Sequence, residues 1–468
     1  MVNVPSFRPN ADFPQLCNMV TVGWDEKRGR FIKAIEDIPM GTVVCVEEGI
    51  TVNVDPRHCY KCLAVTNDSE YAYCSTCEEF YEPDEIAQGN YDDLGIFKLA
   101  THLVFTYPFV DMLDLVQKSE DPKPATYAPK SLSTSEIASV YQLIPFPDIG
   151  ETFKLPKIQR AIKEIVISLE NDENWGRLDF NARRMTFVKG LRIMAERCAK
   201  NAHTIYSISQ KESDDELPIG AGLFPIASIF NHSCTPNVFA FFERNTFIFV
   251  SRGVKAGEEL VDSYGVTYQQ NTLQQRTEFL ASVSGFQCHC YSCEERKNVD
   301  ELIEENFDDI ETWAKSANAP YDLSQRLEFM DPGSKEIENF IIAFSRRKES
   351  EIFMESMFEF WKIFVKNTNT RGIDYDPYLV RPYIEMIILA WSNEVDCTEE
   401  EKASMLVVAQ RLLQSFFLNF HPCSDLMKKL VDEVQKGDER NIQKTVEDLR
   451  WRARTLWKSD ESSSNDYS

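Results

Sequence analysis

The sequence predicts an α+β protein built of several structural units, β-rich and cysteine-paired in its first two thirds and helical beyond. Three observations predict it. Short β-branched runs such as Thr42-Val43-Val44-Cys45-Val46 lie beside turn signals such as Ile38-Pro39-Met40-Gly41. Cysteines gather at close spacing in two places, Cys59 to Cys77 and Cys288 to Cys293. Past about Asp300 the pattern changes to successive amphipathic segments with helical period and no paired cysteines. A chain of 468 residues that is 43% hydrophobic has the material for more than one core.

The elements follow in order. Asp25 to Val52 reads as short strands and turns. Tyr91 to Val116 and Leu155 to Leu169 place apolar residues at helical spacing, and Asn181 to Ile205 does the same. Between them Lys118–Lys130, rich in Pro and Ser, reads as an exposed loop. Val238 to Val250 alternates like a hairpin, with Glu243-Arg244-Asn245 at its turn. Glu351–Val365, Tyr378–Trp391 and Ser404–Phe417 read as helices, and an antiparallel helical array fits them. The last residues, SDESSSNDYS, read as a disordered tail.

The formal charge of −25 disfavours sequence-independent binding to a phosphate backbone. It suits basic partners such as Lys-rich protein tails, or simply keeps the chain soluble. The first residues, MVNVPSFRPN, have no basic and apolar succession of a signal peptide, and no apolar run approaches the ~18 residues of a membrane span. The 13 cysteines, odd in number and often at C-x-C or C-x-x-C spacing, read as zinc ligands in a reducing compartment rather than as disulfides.

The densest signal is Asn231-His232-Ser233-Cys234-Thr235-Pro236-Asn237, then Gly257-Glu258-Glu259-Leu260, then Asp262-Ser263-Tyr264-Gly265, then Cys288-x-Cys290-x-x-Cys293. The last group offers three soft ligands within six residues, and a tetrahedral zinc needs a fourth. His289 lies between two of them and is poorly placed to join; Cys234 is the better candidate. Asn231 and His232 emerge from the apolar run Leu223 to Phe230, where polar groups hydrogen-bond something specific. Taken alone, that pair and Tyr264 fit a structural role more readily than a site.

Together these segments resemble the core of a SET domain, and specifically the SET- and MYND-domain lysine methyltransferases. Arg28-Gly29-Arg30-Phe31-Ile32-Lys33-Ala34 with Ile38-Pro39-x-Gly41 resembles the family's first SET segment, and Asn201-Ala202-His203 resembles its cofactor-site Asn. Cys59-x-x-Cys62 and Cys74-x-x-Cys77 resemble the halves of one MYND zinc site, a shortened finger. The likeness covers roughly residues 20 to 297 and is weaker beyond, where His421-Pro422 resembles a tetratricopeptide-like array.

The resemblance implies a SET-domain β-fold split by a small zinc-binding insert and a helical segment. In order it implies the N-terminal part of the SET domain over 1–52, the reduced finger over 53–80, a helical insertion over 81–200, the core SET domain over 201–270, a post-SET zinc motif over 271–297, a TPR-like helical domain over 298–458, and the tail over 459–468. It implies transfer of a methyl group from S-adenosylmethionine (AdoMet) to lysine. Arg28 and Arg30 would lie over the methionine end or ribose, and Asn201 would bind the methionine part. Ser228, Asn231 and His232 would hold the cofactor near its adenine and amino groups. Phe286 would flank adenine and the substrate channel, and Tyr264 would be the catalytic tyrosine against the cofactor. It implies about two zincs, one on Cys234, Cys288, Cys290 and Cys293, the other on Cys59, Cys62, Cys74 and Cys77. Expected partners are Lys-containing proteins, histones among them, with no nucleic acid, no membrane and a monomeric state, in nucleus and cytoplasm. Three positions depart from the pattern: Arg30 and Phe31 stand where many relatives carry Asn and Gly, and Ser284 stands where relatives place a second channel tyrosine. The alternative is a catalytically weak or inactive adaptor binding proteins through the finger and helices, which Ser284 favours.

Overall fold

A computed structural model describes the protein at residues 4, 6–26, 28–54, 58–59, 63, 72–74, 79–81, 95–107, 109–119, 143, 150, 152–173, 175–206, 219–268, 271–295, 380–395 and 397–457. Strands β1 (Val20–Asp25) and β2 (Gly29–Ala34) form a hairpin, in register from Val20↔Ala34 to Asp25↔Gly29. Strand β3 (Val43–Glu48) follows the expected turn at Gly41, and β4 (Thr51–Val54) follows it in turn. Next come the short hairpin β5 (Ala72–Cys74) and β6 (Glu79–Tyr81).

The helical insertion contains α1 (Gly95–Thr106), α2 (Phe109–Ser119), α3 (Pro156–Ser168) and α4 (Phe180–Asn201). The expected helix over Tyr91–Val116 is thus two helices. Lys118 and Ser119 close the second, and 120–130 of the expected loop lie outside the described residues. Helix α3 opens on Pro156, where a missing N–H costs nothing, and α4 on Asp179, whose carboxylate accepts from the Ala182 N–H. Leu99, Leu103, Met112, Ile162, Phe187 and Leu191 form their common core.

The helical pattern expected over Asn181–Ile205 ends at Asn201. The last four residues are instead strand β7 (Ala202–Ile205), paired with β8 (Gly220–Leu223), which also pairs with β4. Tertiary pairing overrides the local pattern here, and β8 can be the middle strand because it is glycine-rich. A Cβ at Gly220 would stand 2.1 Å from the Asn53 carbonyl oxygen.

The remaining strands are β9 (Asn231–His232), β10 (Val238–Glu243), β11 (Thr246–Ser251) and β12 (Glu259–Asp262). The sheet orders are β1-β2-β12-β9 and β10-β11-β3, and β9 lies parallel to β12. The β10–β11 hairpin forms around Arg244, which adopts a left-handed φ of 56°. The expected alternation fails in β11, which is buried at all six positions. Phe247 and Phe249 enter a core with Phe224, Phe230 and Leu260, while Ile248 and Val250 pack with the C-terminal helices.

Helix α5 (Leu273–Phe279) precedes the cysteine segment, and the short α6 (Tyr291–Glu294) carries its last cysteine, Cys293. The C-terminal part contains α7 (Val380–Trp391), α8 (Glu399–Ser415), α9 (Ser424–Lys436) and α10 (Glu439–Trp457). The expected helix at Ser404–Phe417 begins earlier because Thr398 and Glu401 form a reciprocal cap. Glu351–Val365 lies outside the described residues. Phe417 meets Phe239 of β10 edge-on at 5.0 Å, so these helices cover the second face of the sheet. Among the described residues no single helix is long and apolar enough to cross a membrane.

Candidate functional site

The site grows from one stretch of chain. A 3₁₀ turn over Ala227–Ile229 leads into β9, so Ser228, Asn231 and His232 follow each other along one edge. The turn is held by a buried carboxylate. Glu47 of β3 accepts the Ile226 N–H at 3.0 and 3.1 Å and the Ala227 N–H at 2.7 Å. Burial still pushes the Glu47 carboxyl up to about 7, against the opposing pull of those donors. Downstream, Asn237 fastens the stretch to β12. Its amide donates to the Glu259 carbonyl at 2.8 Å, and its carbonyl oxygen accepts the Val261 N–H at 2.8 Å.

Three groups of residues result. In the first, the Ser228 hydroxyl lies 2.7 Å from the Phe224 carbonyl oxygen and 3.2 Å from that of Asn201. His203 Nε2 lies 3.3 Å from the same hydroxyl, and burial lowers the imidazole to about 4, so the ring is neutral. In the second, the Asn231 amide donates to the Glu259 carboxylate at 2.8 Å and to the Arg30 carbonyl at 3.1 Å. The other oxygen of Glu259 pairs with Arg28 at 2.6 Å. Arg28 also pairs with Asp25 at 2.6 Å and lies 4.0 Å from the centre of the Phe31 ring.

The third group is aromatic. The Tyr264 N–H donates to His232 Nδ1 at 3.0 Å, and the two rings stand 5.3 Å apart. Phe286 lies 6.3 Å from Tyr264, edge to face at 87°, and 6.1 Å from His232. The Tyr264 hydroxyl donates to the Phe230 carbonyl at 3.0 Å. Burial raises the phenol above its ordinary range, and the nearby Asp262 and Glu259 add to the shift, so Tyr264 is neutral. Because His232 Nδ1 accepts a hydrogen bond and burial lowers its pKa to about 4, its proton sits on Nε2, 3.3 Å from Cys234 Sγ.

That contact links the rings to the cysteines. The sulfurs of Cys234, Cys288, Cys290 and Cys293 all lie within 4.8 Å of one another, with Cys234 and Cys293 at 3.5 Å. Four sulfurs around a tetrahedral zinc stand about 3.8 Å apart, so this donor set fits that ion. The Thr235 and Ser292 hydroxyls meet beside it, and the fully buried Arg276 donates to the Ser292 carbonyl at 3.5 Å. Of the other expected ligands, Cys59 is buried and its carbonyl accepts the Leu63 N–H at 2.7 Å. Cys62, Cys77 and the side chain of Cys74 lie outside the described residues.

The structure therefore gathers His232, Tyr264, Phe286 and the four cysteines into one continuous cluster, joins Arg28 to Asn231 through Glu259 and Asn231 to the Arg30 carbonyl, and joins Asn201 to Ser228. Sequence reasoning missed Glu259, Glu47 and Asn237. Glu258 and Glu259 are equivalent by sequence, and only the pairing of β12 with β2 and β9 distinguishes them.

The SET domain family matches this chain over residues 29–265, just over half of its length. The chain belongs to the SET-domain family. It is 62% identical over 464 residues to "SET domain-containing protein 3" of Caenorhabditis elegans, covering 99% of each chain. More distant SET-domain relatives match over shorter stretches. Mouse "Protein-lysine N-methyltransferase SMYD4" is 24% identical over 31% of this chain and 17% of that protein. "Histone-lysine N-methyltransferase ASHR1" of Arabidopsis thaliana is 36% identical over 22% of this chain and 21% of that protein. A solved structure of Rubisco LSMT bound to AdoMet aligns with 89% of each chain at 13% identity, with a TM-score of only 0.24. The matched stretch contains Arg30, Asn201, Ser228, Asn231, His232 and Tyr264, while Phe286 and the last three cysteines follow it.

Proposed function

We propose that this SET-domain chain is an AdoMet-dependent protein-lysine N-methyltransferase acting on histones or other Lys-rich proteins. The observation that carries the proposal is the ring cluster of Tyr264, His232 and Phe286, set beside the Arg28–Glu259–Asn231 network in the SET core. The names of the SMYD4 and ASHR1 relatives support the same reaction class.

The residues present suit the cofactor. A guanidinium, a carboxylate, an amide and a hydroxyl can receive its charged and hydroxyl-bearing ends, and Phe286 offers a face for adenine. When bound, AdoMet supplies an electrophilic methyl group on a sulfonium. Transfer needs the amine, methyl and sulfur in line, so alignment is the protein's main contribution. The three rings exclude water and confine the lysine side chain. A desolvated ammonium loses its proton more readily, which the reaction requires. The Tyr264 phenol stays neutral and is a poor base near neutral pH, so it orients through its hydroxyl.

Cys234, Cys288, Cys290 and Cys293 hold one zinc in this proposal, and Cys59, Cys62, Cys74 and Cys77 a second in a shortened MYND finger. The C-terminal helices act as a TPR-like cover, and the protein works as a monomer in nucleus and cytoplasm. Calorimetry with S-adenosylhomocysteine (AdoHcy), followed by labelled AdoMet with a cell lysate, tests the reaction. Binding and labelled protein bands are expected. A folded protein that binds no AdoHcy overturns the proposal.

A further inference from the structure

Phe286 is 36% exposed and needs something to hold it against the other two rings. Its backbone follows a π-helical turn over Leu280–Ser284, after which Gly285 takes a left-handed φ of 69°. The Gly285 N–H returns to the Leu280 carbonyl, and the Phe286 N–H reaches the same carbonyl at 3.3 Å. The turn's last carbonyl, that of Ser284, receives a charge instead. Lys200, in the final turn of α4, donates its ammonium to it across 84 residues of chain. The ammonium also packs on the next residue, since a Cβ at Gly285 would stand 3.5 Å from Lys200 Nζ. Glycine at 285 suits the left-handed turn, and the ammonium lies close beside it. Lys200 directly precedes Asn201, whose carbonyl faces Ser228.

We propose that Lys200 is a positioning residue, whose ammonium clamps Ser284 and Gly285 and so holds Phe286 against Tyr264 and His232 while tying Asn201 to the same site. A charged donor on a helix-end carbonyl is a stronger tie than a neutral one. The clamp joins two separately packed parts, the insertion helices and the segment leading to the cysteine cluster. Its effect on cofactor binding rests on the function proposed above; its effect on the Phe286 segment does not.

The test compares Lys200→Met and Lys200→Arg in the full-length protein. Hydrogen exchange at the Gly285 and Phe286 amides is read without ligand, and AdoHcy affinity by calorimetry. Lys200→Met is expected to speed exchange at both amides and to weaken AdoHcy by roughly 10- to 100-fold, the scale of one charge-assisted hydrogen bond. Lys200→Arg, which keeps a cationic donor, is expected to stay near wild type in both. Unchanged exchange in Lys200→Met, or Lys200→Arg behaving like Lys200→Met, overturns the clamp. If wild type binds no AdoHcy, the proposed function fails and exchange alone decides the clamp. Should Lys200→Met not fold, Lys200→Gln is measured in its place; faster exchange is again expected, and unchanged exchange again overturns the clamp.

Discussion

Tyr264 is fixed at both ends, its N–H on His232 Nδ1 and its hydroxyl on the Phe230 carbonyl, each at 3.0 Å. Tyr264→Phe removes only the second bond. It is expected to cost about 1 kcal/mol of stability. AdoHcy affinity should hardly change, while methyl transfer falls roughly 10- to 1000-fold if one oriented hydrogen bond is lost from the transition state. A Tyr264→Phe protein as active as wild type removes the tyrosine from the mechanism. Ser284→Tyr introduces at 284 the channel ring that the family resemblance implies there, and is expected to shift the product towards fewer methyl groups by mass spectrometry. The motifs made Tyr264 and His232 legible as residues. Their hydrogen bond, formed across 32 residues of chain, was not legible, because it exists only once β9 lies beside β12. Glu259 stayed hidden for the same reason: one of two adjacent glutamates becomes the link between Arg28 and Asn231 only in the paired sheet.

Among the elements, the Ala227–Ile229 turn depends on Glu47. Its folded pKa of about 7 lies above the ordinary 4.5, so the folded state holds the proton more tightly than the unfolded one. The associated stability is fully present below about pH 4.5 and is lost as pH rises through about 7, by about 3 kcal/mol for this group. Asp262, also raised to about 7 by burial, adds a loss of the same sign. Glu47→Gln is therefore expected to flatten, without abolishing, the fall in stability between acidic and neutral pH in urea titrations. An unchanged slope refutes the Glu47 contribution. The cysteine segment makes a second prediction. Cys288→Ser should lower bound zinc by about one ion per chain in elemental analysis and weaken AdoHcy, since Phe286 lies two residues upstream. Full zinc content in that variant removes Cys288 from the ligand set. Strand β3, the β10–β11 hairpin and most described helices were visible in apolar period and turn residues. The change from α4 to β7 at Ala202 was not, because Ala202-His203-Thr204-Ile205 carries no local stop signal and becomes a strand only against β8.

At the scale of the whole molecule, three cores share one chain, and the central strand β11 belongs to two of them. Its unbroken apolar run Phe247-Ile248-Phe249-Val250 fits burial on both faces, yet the alternation expected from a hairpin hid the second face until α7 to α10 were in place. The net charge of −25 is likewise visible in the sequence, but its consequence depends on the proposed reaction. A strongly anionic protein attracts a Lys-rich substrate over distances that salt shortens, from about 10 Å at about 0.1 M to about 3 Å at about 1 M. For a Lys-rich peptide, kcat/KM is therefore expected to fall steeply across that range while kcat at saturating peptide changes little. AdoHcy carries no net charge at neutral pH, so its affinity should move much less, which separates steering of the substrate from a general effect of salt on the site. If kcat/KM for a Lys-rich peptide and for an acidic peptide of equal length respond alike to salt, the charge serves solubility and plays no part in choosing the substrate.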